Sequence, residues 1–377
     1  MSATFQKYEE LTLLAKLPRF SFGLIMLIIA TGLIGVVALY SAAGGNVEPW
    51  AMRHGIRFGA GLCGMLAAAM IDIRWWLRLS YPFYIASILL LVAVEVKGHI
   101  GMGAQRWIDL GLIKLQPSEF MKIGVVMALA RFFHGASLED VRHPLFLFRP
   151  LALVALPAAL VLVQPDLGTA LMITAAAGAI FFLAGVSYWM FGLVIAGVLA
   201  ALPVMWHFLH DYQKNRILVF LDPERDPLGA GYHIMQSKIA LGSGGIGGKG
   251  FLKGTQSHLN FLPEKQTDFI FTLMAEEWGL TGAAVLFTLF ALIILYGFLI
   301  ARASHNQYGR LIASGITVNF ALYVFINIAM VTGLIPVVGV PLPMISNGGS
   351  AMLAVLFGFG LILSVGIHRD VKLARKV

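Results

Sequence analysis

The chain has 377 residues, of which 59% are hydrophobic and 12% are charged, with a formal net charge of +8. Soluble domains carry roughly 25% charged residues, so this composition and a mean hydropathy of +0.83 exclude a soluble enzyme, a disordered chain and a coiled coil. The single cysteine, Cys63, excludes an intramolecular disulfide. The apolar runs are too long for barrel strands, so the sequence indicates an all-α polytopic membrane protein.

A helix needs roughly 20 apolar residues to cross the hydrocarbon core of a bilayer. We expect about ten transmembrane helices on this criterion. In chain order the predicted spans are 20–40, 57–72, 79–96, 118–134, 150–164, 167–185, 188–206, 280–301, 311–333 and 350–367.

The distribution of lysine and arginine predicts the orientation of these spans. With a cytoplasmic N-terminus, the cytoplasmic pieces hold fourteen of these residues and the short outer loops hold five. Positive charge in short loops favours the cytoplasmic side, so both termini are expected there. The net charge of +8 is therefore interpreted as membrane orientation and not as a nucleic-acid surface.

No soluble domain is expected, and 1–377 is interpreted as a single integral membrane domain. Its longest extramembrane piece is 207–267, which orientation places outside, before the eighth span. This segment is rich in aromatic residues, and a long loop of that kind on a rigid scaffold is more often functional than a spacer.

Two charged residues interrupt the fourth span. Glu119 and Lys122 are three residues apart in QPSEFMK, which places them on one helical face. Charges inside a membrane span are costly and point to function. An ion pair that fixes helix packing and a direct role in substrate binding are both open at this point.

Asp268 stands where the long outer segment re-enters the membrane, followed by Phe269, Ile270 and Phe271. A carboxylate backed by apolar side chains at a water boundary suits a general base. The alternative is that Asp268, or its neighbour Thr267, caps the following helix.

Other polar residues favour structural roles. Asp166, in the short turn QPDLGT, is typical of a helix N-cap. Asn319, Tyr323 and Asn327 recur at four-residue spacing on one face of the ninth span, which predicts interhelical hydrogen bonds.

Two glycine-rich stretches differ in meaning. GSGGIG at 242–247 matches G-x-G-x-x-G, but no βαβ unit surrounds it, so a dinucleotide site is rejected. What remains is a flexible, glycine-rich turn, GSGGIGGKG at 242–250, whose backbone N–H groups suit a phosphate. The segment TGLIPVVGVPLPMISNGGS, before the last span, is uncharged and rich in proline and glycine. Irregular backbone at membrane depth must be buried in protein or line a cavity, so a re-entrant or cavity-lining segment is predicted.

Together these stretches resemble the SEDS family, the proteins of shape, elongation, division and sporulation, over nearly the whole chain. Within the family, GAGYHI, GTQS and VGVPLP are more similar to the elongation members than to the division members. One departure is Asn347, where many relatives have tyrosine. The motifs that carry the resemblance are, in order, GAQRWIDLGLIKLQPSEFMK, QPDLGT, DPLGAGYHIMQSKIALGSGGIGGKG, LNFLPEKQTDFIF and TGLIPVVGVPLPMISNGGS.

The resemblance implies a bacterial inner-membrane glycosyltransferase that polymerises lipid II into glycan strands during cell elongation and releases undecaprenyl pyrophosphate. It implies a class B penicillin-binding protein, a transpeptidase, as partner within the elongation machinery. The family's essential carboxylate falls on Asp268, and its intramembrane polar pair falls on Glu119 and Lys122.

The chemistry requires one base and positive charge on the leaving pyrophosphate. The outward-facing candidates for phosphate binding are Arg106, Arg216, Lys249 and Lys265. No cofactor is required by the sequence, although a divalent cation, Mg or Mn, suits the pyrophosphate.

Two other functions stay open at this point. A lipid II flippase shares the many spans and the intramembrane charges, although matching broken segments in the two halves are not seen. A non-catalytic membrane scaffold for a transpeptidase predicts that Asp268→Ala leaves the cell-shape function intact.

Overall fold

The computed structural model describes residues 16–374, except 102–103, 110, 112–113, 209–210, 223–224, 227–229, 260 and 262–263. Helices dominate this part of the chain, and each predicted span overlaps one of them. The longer helices are α1 (Phe22–Ala42), α2 (Ala51–Met70), α3 (Ile73–Lys97), α4 (Pro117–His134), α5 (Phe148–Val163), α6 (Leu167–Ala184), α7 (Tyr188–Phe208), α8 (Asp211–Leu221), α9 (Ala230–Ser243), α10 (Ile270–Ala303), α11 (Gln307–Val331) and α12 (Gly349–Ile367).

The chain is a multi-pass membrane protein, and its fold belongs to the all-α class despite one small sheet. Among the described residues, seven helical segments are by themselves long and apolar enough to cross a membrane. Helix α4 is not one of the seven; it carries Glu119, Lys122 and Arg131. The predicted number of ten spans therefore stays a prediction.

Several helices start earlier than their apolar runs do. Helix α3 begins at Ile73 because Asp72 caps it, accepting a hydrogen bond from the Arg74 N–H at 2.8 Å. Helix α10 begins at Ile270 and is broken at Gly279, where the backbone has φ 65° and ψ −161°. The predicted eighth span, 280–301, is thus only the second part of a longer broken helix.

Helix α4 lies at the centre of the bundle, and most of its residues are buried. It packs against α3, α5, α6 and α11, while α2 packs against α12 and α10 packs against α11. Because α4 is surrounded by other helices, its charged residues Glu119 and Lys122 face protein and not lipid.

A small antiparallel sheet, which the sequence did not predict, lies between α3 and α4. Its strands are β1 (His99–Gly101), β2 (Ala104–Asp109) and β3 (Lys114–Leu115), in that order. Asp109 pairs with Lys114 in the register of β2 and β3. The sheet holds Arg106 at one end of the bundle.

The described residues of segment 207–267 include helices that pack on the bundle. Helix α9 packs on the bundle through Ser237, whose hydroxyl lies 2.8 Å from the Thr272 hydroxyl and donates to the Val331 carbonyl at 2.7 Å. This contact ties the segment to both α10 and α11.

The proline- and glycine-rich segment 332–348 contains no helix, as predicted. It is nevertheless inside the protein, since Leu342, Ile345 and Ser346 are buried. Its irregular backbone therefore meets the requirement that non-helical chain at membrane depth be covered by protein.

Candidate functional site

Asp268 is half-buried at the end of an irregular stretch that leads into α10. Its carboxylate Oδ2 lies 3.6 Å from the point that a Cβ on Gly339 would occupy. Phe269 holds the N-cap position and makes no side-chain cap, while the Thr267 hydroxyl donates to Glu264. The N-cap position of α10 thus belongs to Phe269, one residue after Asp268.

The main chain around Asp268 is held at three consecutive carbonyls, those of 266–268. The Asn347 N–H donates to the first at 2.8 Å, and the Ser346 hydroxyl donates to the second at 2.5 Å. The Asn327 amide nitrogen donates to the third at 2.9 Å and also to the Val340 carbonyl at 2.7 Å. Segment 332–348 and α11 thereby fix the backbone that carries the candidate base.

Glu119 and Lys122 form a buried ion pair in α4, with Nζ and Oε1 2.9 Å apart and side-chain exposures of 4% and 1%. The Tyr323 hydroxyl donates to the other Glu119 oxygen. The Lys122 ammonium also lies 4.1 Å from the centroid of the Tyr323 ring, a cation–π contact. The interhelical bond predicted for Tyr323 is present, and α11 is linked through it to α4.

Asp166 caps α6, as the sequence predicted, and is surrounded by donors. Its carboxylate accepts from the Thr169 N–H at 3.2 Å and from the Gln116 amide at 3.3 Å. The Arg106 guanidinium lies 4.0 Å from Asp166 and donates to the Gln164 and Pro165 carbonyls. Arg106 thus holds this turn, and its predicted role in phosphate binding stays a prediction.

Lys249 lies in the glycine-rich turn and pairs with a buried carboxylate. Its Nζ is 2.7 Å from Oε1 of Glu276, and its backbone N–H donates to the Glu276 carbonyl at 3.0 Å. The Gly250 N–H donates to the Glu277 carbonyl at 3.0 Å. The prediction that this turn presents its backbone N–H groups to a phosphate is wrong for these two positions, because both are satisfied within the protein.

The two other predicted phosphate ligands are Lys265 and Arg216, and the structure describes the side chain of Lys265 alone. Lys265 lies three residues before Asp268 and is half-buried; this burial lowers the pKa of its ammonium group. Arg216 lies on α8, but its side chain is outside the described part. Lys265 and Asp268 lie on one short stretch of chain, three residues apart.

Three functional candidates were missed in the sequence. Asn327 was interpreted as an interhelical contact, yet it binds the backbone on both sides of the site. Glu276 and Glu277 are fully buried, and Glu277 accepts from the Ser41 hydroxyl at 2.6 Å. The signal available was the pair of adjacent acids beside an apolar run, EEWG, a pattern that a lipid-facing helix would not carry.

The described residues contain no group of three or more His, Cys, Asp or Glu side chains that could hold a metal ion.

Known proteins resemble this chain over almost its whole length, as the motifs do. The chain is 44% identical to the peptidoglycan glycosyltransferase MrdB of Escherichia coli K12 over 349 residues, covering 92% of this chain and 93% of that protein. It is 35% identical to the probable peptidoglycan glycosyltransferase FtsW of Geobacter metallireducens, covering 93% and 96%.

Solved structures show the same fold. A chain of a peptidoglycan synthase complex that coordinates polymerization and crosslinking matches with a TM-score of 0.80 and 34% identity, covering 93% of this chain and 98% of that one. The rod shape determining protein RodA of Thermus thermophilus matches with a TM-score of 0.70 and 29% identity, covering 94% and 98%.

A family model described as "Cell cycle protein", built on the FtsW, RodA and SpoVE proteins, matches residues 19–371. The match spans both the ion pair in α4 and the Asp268 region, so it covers every element of the candidate site. The chain therefore belongs to the FtsW/RodA/SpoVE family of cell cycle proteins, the SEDS family.

Proposed function

We propose that this protein is a peptidoglycan glycosyltransferase that polymerises lipid II into glycan strands during cell elongation and releases undecaprenyl pyrophosphate. The observation that carries the proposal is the placement of Asp268. Its backbone is fixed at 266–268 by hydrogen bonds, while its carboxylate lies beside Gly339 at one end of an apolar bundle. The relatives named above are themselves called peptidoglycan glycosyltransferases.

The proposed reaction is one displacement at a sugar carbon. Asp268 takes the proton of the acceptor 4-hydroxyl, the oxygen bonds to C1 of the donor sugar, and the bond from C1 to the pyrophosphate breaks. The electron pair of that bond leaves with undecaprenyl pyrophosphate, whose negative charge needs nearby cations. Lys265 supports this assignment through its place three residues before Asp268.

Orientation in the membrane is part of the proposal. We place Asp268 and segment 207–267 on the outer side of the bacterial inner membrane and both termini in the cytoplasm, because of the short-loop charge count. In a Cys63→Ser background, Ile246→Cys should react in whole cells with a maleimide that cannot cross the membrane. Lys372→Cys, in the C-terminal tail, should not. Labelling only of Lys372→Cys would reverse the orientation.

A partner that crosslinks the new strands is also proposed. The solved chain with a TM-score of 0.80 comes from a peptidoglycan synthase complex, which supports pairing of this protein with a class B penicillin-binding protein. The enzyme and such a partner would join polymerisation and crosslinking at one membrane site.

The decisive experiment is polymerisation of purified lipid II by the reconstituted protein, with and without the partner. Glycan strands and free undecaprenyl pyrophosphate are the expected products, since the reaction must release both. A protein that moves lipid II between leaflets and makes no polymer under any of these conditions would be a flippase. Absence of both activities, with the partner still bound, would leave the scaffold function.

A further inference from the structure

The break in α10 at Gly279 is filled by another part of the chain. In an unbroken helix, the carbonyls of 276 and 277 accept from the N–H groups of 280 and 281. Here segment 244–250 takes up all four groups. Its amides donate to the two carbonyls at 3.0 Å each, and the N–H groups of 280 and 281 donate to its carbonyls at 3.0 and 3.1 Å. The loop is thus hydrogen-bonded into the helix.

The glycines of this loop are explained by the close approach. A Cβ on Gly244 would overlap the Ala275 carbonyl oxygen, and a Cβ on Gly248 would overlap the Glu277 carbonyl oxygen. Only glycine allows two backbones to come this near. The sequence GSGGIGGKG therefore has a packing role in the described structure.

Side chains reinforce the insertion. Glu276 is fully buried, and its Oε1 accepts from Lys249 Nζ at 2.7 Å, from the Thr255 hydroxyl at 3.1 Å and from the Gln256 N–H at 3.0 Å. A buried carboxylate is stable only with a partner of this kind. We call Lys249, Thr255 and Glu276 the loop clasp.

The loop clasp lies at the far end of the helical segment that Asp268 introduces. That segment, 270–278, runs from the candidate base to the break at Gly279. Its beginning is held by Asn327 and segment 332–348, and its end is held by the loop clasp and the inserted glycines. A shift of either end would move Asp268, because a helical segment moves as a rigid unit.

From this arrangement we infer that Lys249 and Glu276 are positioning residues for Asp268, and that Lys249 acts through the loop clasp and not as a ligand of substrate phosphate. The inference rests on the proposed polymerase function. It makes Lys249 and Glu276 equivalent, so that loss of either has the same effect on catalysis.

The test uses full-length Lys249→Met, Glu276→Gln and the double variant in the lipid II assay. Misplacement of a reacting group by about 1 Å costs up to roughly 10²-fold in rate, so each single variant should lower kcat by about 10- to 100-fold. KM for lipid II should change by less than about threefold, since binding groups are intact. The double variant should be no slower than the slower single variant.

Lys253→Met is the matched control, because Lys253 is an exposed cation on the same loop outside the clasp. It should keep the parental kcat. The opposite result, a tenfold rise in KM for Lys249→Met with an unchanged Glu276→Gln, would make Lys249 a phosphate ligand and overturn the inference.

A covalent replacement of the clasp separates positioning from charge. Lys249 and Glu276 are joined by a main-chain hydrogen bond of 3.0 Å and by the ion pair of 2.7 Å, so their backbones are neighbours. A disulfide joins Cα atoms roughly 4.4–6.8 Å apart, and this direct main-chain contact makes the pair the choice for a cross-link. Lys249→Cys with Glu276→Cys, in the Cys63→Ser background, should regain kcat on oxidation and lose it on reduction. A disulfide that forms without raising kcat would contradict the inference.

Hydrogen exchange across 264–278 gives a reading that does not depend on activity. Lys249→Met and Glu276→Gln should speed exchange there, and Lys253→Met should not. If the parental protein makes no polymer, the proposed function fails. The exchange rates would still show whether Lys249 and Glu276 hold the segment that carries Asp268. Exchange that stays at the parental rate in both clasp variants would overturn it.

Discussion

The side-chain amide of Asn327 donates to the main-chain carbonyl of Asp268 at 2.9 Å. The same nitrogen donates to the Val340 carbonyl at 2.7 Å, and Asn327 is fully buried. One side chain from α11 therefore joins the stretch that carries the candidate base to the irregular segment opposite it. Because the bond is to the backbone, it does not depend on the carboxylate of Asp268.

This independence makes Asp268→Asn a clean test of the base. Asparagine keeps the size of the side chain and leaves all three backbone anchors of 266–268 in place, but it cannot take up the proton of the acceptor hydroxyl. Polymerisation of lipid II should fall by about 10²- to 10⁴-fold, the usual contribution of a general base. Initial rates from purified lipid II measure the effect.

Membrane insertion, thermal stability and partner binding should persist in Asp268→Asn, and they serve as its controls. A variant that polymerises at close to the parental rate would show that another group is the base.

Removal of the Asn327 amide should lower both the stability of the protein and its activity. Asn327→Ala removes this donor from the carbonyls of Asp268 and Val340, and a buried carbonyl left without a donor costs about 1–3 kcal/mol. The melting temperature should fall, and kcat should fall because Asp268 loses an anchor.

Asn319→Ala is the matched control for this variant. It lies two turns earlier on α11 and is also buried, and its Oδ1, like that of Asn327, has no hydrogen-bond partner among the described residues. It should cost less stability and leave kcat close to the parental value. Equal losses in the two variants would show that Asn327 has no special relation to the site.

The succession of long apolar helices could be predicted from the sequence. A bilayer requires such helices, and each one is a continuous apolar run in the chain. The burial of Glu276 could not be predicted in the same way. Its partners, Lys249 and the Gln256 N–H, are 27 and 20 residues away, and the backbone groups freed by the break at Gly279 bind the distant loop 244–250. Local sequence patterns do not show pairings between distant residues. For this reason the glycine-rich turn was interpreted as a phosphate site and not as a loop packed into a helix.

Gly339 supplies the space beside the candidate base. Its backbone has φ 74°, where a side chain costs roughly 1–2 kcal/mol, and a Cβ would lie 3.6 Å from Asp268 Oδ2. Gly339→Ala should therefore lose stability and also lower kcat, since the methyl group takes the room that an acceptor hydroxyl needs.

Gly44→Ala isolates the contribution of strain to this effect. Gly44 has φ 69°, and nothing lies within 4 Å of the point that a Cβ would occupy there. The two variants should show similar falls in melting temperature, with loss of activity confined to Gly339→Ala. Unchanged kcat in Gly339→Ala would mean that the acceptor approaches Asp268 from another side.

The Glu119–Lys122 pair predicts a double-mutant cycle with strong coupling. Lys122→Met alone leaves the Glu119 carboxylate buried beside Tyr323 without its cation, at a cost of about 3–5 kcal/mol. Glu119→Gln with Lys122→Met removes both charges and keeps an acceptor for the Tyr323 hydroxyl. Thermal unfolding should show the double variant to be more stable than Lys122→Met alone, whereas additive losses would refute the pairing.

Lys265 predicts how substrate binding depends on pH. Burial lowers the pKa of Lys265 below its ordinary value of 10.5, because the charged form loses solvation. A bound pyrophosphate stabilises the ammonium and raises the pKa again, so binding takes up a proton. Affinity should then be full below the pKa of the free protein and fall as pH rises through it.

The dissociation constant for lipid II, measured from neutral pH up to pH 10 (about the ordinary Lys pKa), should therefore rise with pH in the parental protein. In Lys265→Met it should be high throughout and much less dependent on pH, while Lys253→Met should follow the parental curve. The free Lys265→Met protein should also be slightly more stable at neutral pH, because folding no longer desolvates a charge. Parallel pH curves for the parental protein and Lys265→Met would show that this ammonium does not meet the pyrophosphate.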